Sequence, residues 1–273
     1  MFLALAAVAA ACSLVTGLDG LTAGSSPTER DADAPGDVDA PFTDGSNVDP
    51  GSFCALHAAA AFCDDFDDDA ALPRHWDDRT EAFGQVRLVL DGGALSGLGA
   101  ILTQVDDKQG ALASLGKTFP DGGQQVRIEW DMRFDEVGPG WSQLMNVGFG
   151  DTKAPGTAFA VYLRAVGPAS DAGVPIVVGQ FWQVPDGSWS SAAGALATAP
   201  VPLGVWSHYK LEVLRDSQTA HFFVDGASLG DIALDSHALL IGSSATVACD
   251  IGVTYGVRGP LAALTDNVVV TIQ

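Results

Sequence analysis

The chain is 273 residues long, 47% apolar, and carries 13 Lys+Arg against 34 Asp+Glu, a formal charge of −21. This acidity argues against nucleic acid as a partner, because binding a phosphate backbone needs a cationic footprint. It also argues against a polybasic membrane-binding face.

The N-terminus reads MFLALAAVAAACSLVTGLDG, with an uncharged run from Phe2 to Ala11. The run has the length of a signal h-region and is short for a transmembrane helix. Ala9, Ala10 and Ala11 are small residues directly before Cys12. This pattern resembles a bacterial lipoprotein signal. The resemblance implies cleavage after residue 11 and lipidation of Cys12. Ser13, in place of Asp, then implies an outer-membrane lipoprotein. Leu is the commoner residue at the position of Ala9, and the first basic residue is Arg30. Plain secretion is the first alternative, and a buried apolar helix with a chance cysteine is the second.

Residues 12–52 form the expected tether. Its part 23–51 holds six Asp and one Glu against one Arg and has few large apolar side chains. Such a segment buries too little surface to offset its ordering entropy and is expected to be disordered. From Ser13 to Ser52 a flexible chain spans on the order of 35 Å r.m.s..

Residues 53–273 are long enough for one domain with a sizeable core. Ala55–Ala61 reads as a short helical turn. Strands are predicted over Gln85–Leu90, Gln125–Phe134, Leu144–Phe149, Ala158–Ala165 and Pro175–Gln183. Further strands are predicted over His208–Leu214, His221–Val224, Thr246–Tyr255 and Asn267–Ile272. They alternate apolar and polar residues or are rich in β-branched and aromatic ones, with Gly, Asp, Pro and Ser between them. Many short strands with polar turns read as a sandwich, jelly roll or barrel.

Three segments carry a family resemblance. Phe62–Asp68 (FCDDFDD), followed by Leu72–Asp77 (LPRHWD), is similar to an opening strand and loop of concanavalin A-like, laminin G-like domains. Val205–Gly230 resembles their central hairpin, with Trp206 before an alternating strand and Asp225-Gly226 after the next. Leu264–Ile272 resembles their last strand, which usually pairs near the first. The resemblance implies an all-β, two-sheet antiparallel jelly-roll sandwich behind a disordered N-terminal tether. It implies a non-catalytic carbohydrate- or surface-ligand-binding role. The alternatives are a glycan-active enzyme with a diverged site and a structural or adhesion module that binds protein.

Catalytic candidates are few. Laminarinase-type relatives of this fold carry three carboxylates on one strand, and retaining hydrolysis sets two carboxyls about 5 Å apart. Glu129 and Asp131 match the first two positions, but Arg133 or Phe134 stands at the third. Arg133 shares their face and is a candidate ion partner. His57, His75, His208, His221 and His237 show no zinc-type spacing, and there is no nucleophile elbow, P-loop or dinucleotide fingerprint. No catalytic residue is assigned.

With Cys12 lipidated, Cys54, Cys63 and Cys249 remain, and an oxidising compartment favours a disulfide. Cys54–Cys63 is the preferred pair, and Cys63–Cys249 is the rival. Asp64, Asp65, Asp67, Asp68 and Asp69 crowd the opening strand and its exit, and Asp266 enters the last strand. Pairing of those strands would gather Asp65, Asp67 and Asp266 as ligands for a structural calcium. A solvated acidic loop is the plainer reading. Trp141, Trp182 and Trp189 are the candidate sugar-stacking aromatics, whereas Trp130 and Trp206 are expected in the core.

Overall fold

The computed structural model describes residues 53–273 apart from 68–74, 91–93, 98, 121, 151–157, 171, 184–188, 192–195, 198–199, 237, 239–244 and 258. Cys12, its signal and the acidic tether lie outside the described residues. In chain order the helical turn α1 (Phe53–Leu56) precedes β1 (Phe62–Asp64), β2 (Asp78–Ala82), β3 (Gly84–Val89), β4 (Ala100–Val105) and β5 (Ala111–Phe119). Then come β6 (Gln125–Val137), β7 (Gly140–Gly150), β8 (Ala158–Gly167), β9 (Ile176–Gln183), β10 (Trp189–Ser191) and β11 (Leu196–Ala197). The chain closes with β12 (Trp206–Leu214), β13 (Thr219–Val224), β14 (Ala227–Ala233), β15 (Thr246–Val257) and β16 (Leu261–Ile272).

These strands make two antiparallel eight-stranded sheets of a jelly-roll sandwich. Sheet A runs β14-β13-β12-β6-β16-β4-β3, with β1 on β16. Sheet B runs β10-β9-β8-β7-β15-β5-β2, with β11 on β9. The first and last strands pair, with Cys63 opposite Val269 and Asp64 opposite Val268.

Alternation decides which residues enter the core. In β12, Ser207, Tyr209, Leu211 and Val213 are buried between the half-exposed Trp206, His208, Lys210 and Glu212. In β6, Val126, Ile128, Trp130, Met132 and Phe134 point inward. Sheet B answers with Leu115, Val147, Phe149, Phe159, Val161, Leu163 and Ile251. Trp130 stacks on Tyr209, with ring centroids 5.4 Å apart at 14°.

Several strands escaped the sequence reading: β2, β4, β5, β14 and the short β10 and β11. β2 (DRTEA) is a largely exposed edge strand with no apolar stripe. β4 and β5 (AILTQV, ALASLGKTF) bury small and polar residues among their apolar ones, which blurs the alternation.

The opening corner is tied down covalently. Cys54 and Cys63 form a disulfide with Cα atoms 5.6 Å apart, and Cys249 is a free, buried thiol on β15. The buried Asp64 carboxylate accepts the indole N–H of Trp76 at 2.7 Å and the backbone N–H of Phe66 at 3.0 Å. Trp76 in turn packs edge-on against Phe62 at 4.9 Å.

Candidate functional site

The outer face of sheet B carries a connected set of aromatic and polar side chains. In β8, Val161 and Leu163 enter the core, so Tyr162 and Arg164 face away from it. Registry places Asn146 of β7 beside Tyr162 and Asp250 of β15 beside Asn146. Directly opposed residues share a face. One step along the strands, Gln143 lies between Arg164 and Tyr255, and Trp141 lies opposite Val166 and Val257.

Bulges bring Trp141 to this face. β7 slips against β8 between Gln143 and Met145, and β15 slips against β7 between Ile251 and Tyr255. The extra residues shift the alternation by one, so that Trp141 and Asn146 share a side. Gly252 makes the β15 irregularity possible: it has φ +89°, and a Cβ there would sit 2.5 Å from the Ala113 carbonyl oxygen.

The side chains form one connected strip. The Arg164 guanidinium carbon lies 3.8 Å from the Trp141 ring centroid and 4.8 Å from that of Tyr162. Trp141 also touches Tyr255, with centroids 5.4 Å apart. Tyr162 meets Phe181 of β9 at 5.6 Å. The Tyr162 ring reaches this place by lying across Gly179, where a Cβ would come within 2.4 Å of its hydroxyl. Beside the strip, the Asn146 side-chain amide donates to the Asp250 carboxyl at 3.1 Å. Burial, and then the charge of Asp78, push the Asp250 pKa up to about 7. Burial lowers the pKa of Arg164.

Sheet A has a different outer face. His208 of β12 faces β6 and contacts Asp131 at 2.9 Å through Nδ1 and Glu129 at 3.3 Å through Nε2. Hydrogen bonds to Asp131 and then Glu129 raise the His208 pKa to about 9, so both ring nitrogens donate at neutral pH. The same contact with His208 holds Glu129 below its usual range. Asn267 donates to the other oxygen of Asp131 at 2.8 Å, and the Ser96 hydroxyl donates to Asn267 at 2.6 Å. Arg127 and Lys210 complete an ion-paired network through Glu129 and Glu212. Glu129 and Asp131 are therefore bound to structural partners and do not stand as a free acid–nucleophile pair.

Several expectations are corrected. Arg133 pairs with Asp135 at 2.8 Å rather than with Glu129 or Asp131, because His208 faces Asp131 directly across the β6–β12 ladder. Trp206 is not in the core; it lies outside sheet A, with the Arg133 guanidinium 5.5 Å from its ring centroid. Trp182 packs against the core, so alternation gives the outer face of β9 to its neighbour Phe181. Trp189 begins β10, and its side chain lies outside the described residues. Of the predicted aromatics, Trp141 is the one placed in the strip.

The carboxylates suggested for calcium accept backbone N–H groups. Asp65 accepts from Cys54 at 3.3 Å, and Asp67 accepts from Gly99 at 3.2 Å. The fully buried Asp266 accepts from Leu95 and Ser96, each at 3.0 Å, anchoring that loop to β16. Among the described residues no group of three or more His, Cys, Asp or Glu side chains is arranged to hold a metal ion. Asp68 and Asp69 lie outside the described residues.

The residues the sequence reading missed are Tyr162, Arg164, Asn146, Asp250 and Tyr255. Tyr162 and Arg164 stand at alternate positions of a predicted strand, which is a legible signal. Their neighbours on β7 and β15 depend on bulges, which leave no mark in the sequence pattern.

No family model and no curated protein matches the chain. Among solved structures it is similar to the cellulose-induced protein Cip1, at 13% identity and TM-score 0.49 over 78% of this chain and 97% of that one. It is similar to the alginate lyase AlyA1 of Zobellia galactanivorans, at 9% identity and TM-score 0.44 over 64% and 78% of the two chains. It is also similar to a Bacillus subtilis protein with a galectin-like fold, at 14% identity and TM-score 0.44 over 78% and 95%.

Proposed function

We propose that this protein binds carbohydrate without catalysis on the outer face of sheet B, and is presented at the cell envelope through a lipid on Cys12. The observation that carries the reading is the continuous strip Phe181–Tyr162–Arg164–Trp141–Tyr255. Sugar rings offer C–H faces to aromatic rings and hydroxyls to polar groups. The strip supplies the rings, and the half-buried Arg164 and Asp250 supply polar groups at it and beside it, with Asn146 and Gln143 buried beneath. The core that joins the two sheets is built from the opposite sides of the same strands, so these rings are not used in packing one sheet on the other.

The test is a glycan-array screen of the full-length chain, in calcium and again in chelator, beside Trp141→Ala. Saccharide binding that Trp141→Ala abolishes supports the reading. Silence of the folded protein on every glycan contradicts it and favours a protein-binding module.

A further inference from the structure

We propose that the saccharide bound on the outer face of sheet B is acidic, and that the Arg164 guanidinium pairs with its carboxylate or sulfate group. This inference rests on reading that face as a saccharide platform.

Most cationic side chains among the described residues are paired within the protein. Among the described residues, Arg79, Arg127, Arg133, Lys117 and Lys210 each reach a carboxylate of this chain. Arg215 donates to the carbonyls of Gly122 and Gly123. Arg87 and Lys108 are exposed, where water solvates them. Arg164 differs from all of these. It is half-buried on an interior strand of sheet B and its guanidinium rests on two ring faces; like that of Arg127, its Nε is buried without a hydrogen-bond partner among the described residues, but Arg127 has carboxylates beside it.

A partly desolvated cation without an anion is costly, and ring faces offset only part of that cost. In a chain with 34 acidic residues against 13 basic ones, a carboxylate partner is easy to supply. Arg164 has none within ion-pair reach among the described residues. The guanidinium fork matches a carboxylate or sulfate in two-point geometry, and stacking on Trp141 pre-orients it.

A second observation lies on the adjoining row. Asn146 is fully buried, and its side-chain oxygen accepts no hydrogen bond among the described residues. A sugar hydroxyl could donate to that oxygen only by displacing the side chains that cover it. Asp250, which shares a hydrogen bond with Asn146, is held partly neutral at pH 7 and so repels an incoming anion weakly.

The experiment measures binding to the full-length chain by calorimetry. The probes are an oligogalacturonate, a sulfated galactan oligosaccharide and a neutral β-glucan oligosaccharide, each at low and high salt. Wild type, Arg164→Gln and Arg164→Lys are compared, with thermal melts to verify folding. The acidic probes should bind at least tenfold more tightly than the neutral one and weaken as salt rises. Arg164→Gln should lose roughly tenfold to a hundredfold in affinity for them, the usual worth of a charge-assisted hydrogen bond. Arg164→Lys should keep the salt dependence and lose less. If Arg164→Gln fails to fold, the wild-type salt dependence and Arg164→Lys decide. Equal, salt-insensitive binding of the neutral probe overturns the inference and leaves the platform standing. So does undiminished acidic binding by folded Arg164→Gln. Failure of every saccharide to bind overturns both. The uronate and sulfate arms identify which anion the site takes.

Discussion

Arg164 and Trp141, on neighbouring strands of sheet B, are stacked with the guanidinium carbon 3.8 Å from the indole centroid. The contact turns two side chains into one rigid surface element. Replacing Arg164 by Lys keeps the charge but loses the planar contact. Chemical denaturation of Arg164→Lys should show a loss of about 1 kcal/mol, within the range of a partly desolvated cation–π pair. An unchanged midpoint would mean that the stack holds nothing in place.

Asp64 organises the opening corner by accepting from both Trp76 and Phe66. Asp64→Ala leaves the Trp76 indole N–H buried without this acceptor. The expected cost is about 3 kcal/mol in urea unfolding, the scale of hydrogen bonds to a charged group plus the penalty for an orphaned donor. A cost below about 1 kcal/mol would show that water replaces the carboxylate there.

His208 gives stability a basic limb. Its folded pKa is raised from 6.5 to about 9 by Asp131 and Glu129, with Arg127 and Lys210 also acting on Glu129. The native state then binds more protons than the unfolded chain between those values. The stabilisation is complete below pH 6.5, declines as pH rises towards 9, and is absent above that. Because the imidazole is substantially exposed, the loss should be about 1 kcal/mol. Unfolding at pH 6 and pH 10 measures it, and His208→Gln should flatten that part of the profile.

Asp250 acts in a lower window. Its folded pKa is raised from 3.8 to about 7, chiefly by burial and next by Asp78. Native protein again binds the extra proton, so stability falls between pH 4 and pH 7 and is then flat. Asp250→Asn removes the ionisation but keeps a hydrogen-bonding group beside Asn146. The variant should match wild type near pH 4 and exceed it by roughly 4 kcal/mol at pH 8, at about 1.4 kcal/mol for each pH unit between the two pKa values. Equal stability of the two proteins at pH 8 would show that the carboxylate is solvated.

Much of the fold was legible because alternation is a local property. Tyr209, Leu211 and Val213 announce the inner face of β12 without reference to any other strand. The pairing of β1 with β16 was implied by a family resemblance. The Cys54–Cys63 disulfide was the preferred of two open pairings, and it lies at a sequence separation of 9. The candidate site was less legible, because it depends on register between strands far apart in sequence. Arg164 meets Trp141 only because β7 bulges after Gln143, and His208 meets Asp131 only through the β6–β12 ladder. The bonds that Asp266 accepts from the backbone of Leu95 and Ser96 were not legible either, because that loop lies far from it in sequence. Trp182 reads as a platform residue until the phase of β9 is known.

The outer face of sheet B, rather than that of sheet A, is the binding surface we propose. Chemical-shift mapping of the full-length chain during a saccharide titration tests it most directly. Shifts are expected to centre on Trp141, Tyr162, Arg164 and Tyr255, with the signals of His208 and Lys210 unmoved. Shifts centred on His208, Lys210 and Glu212, with the Trp141 indole signal unchanged, would contradict it.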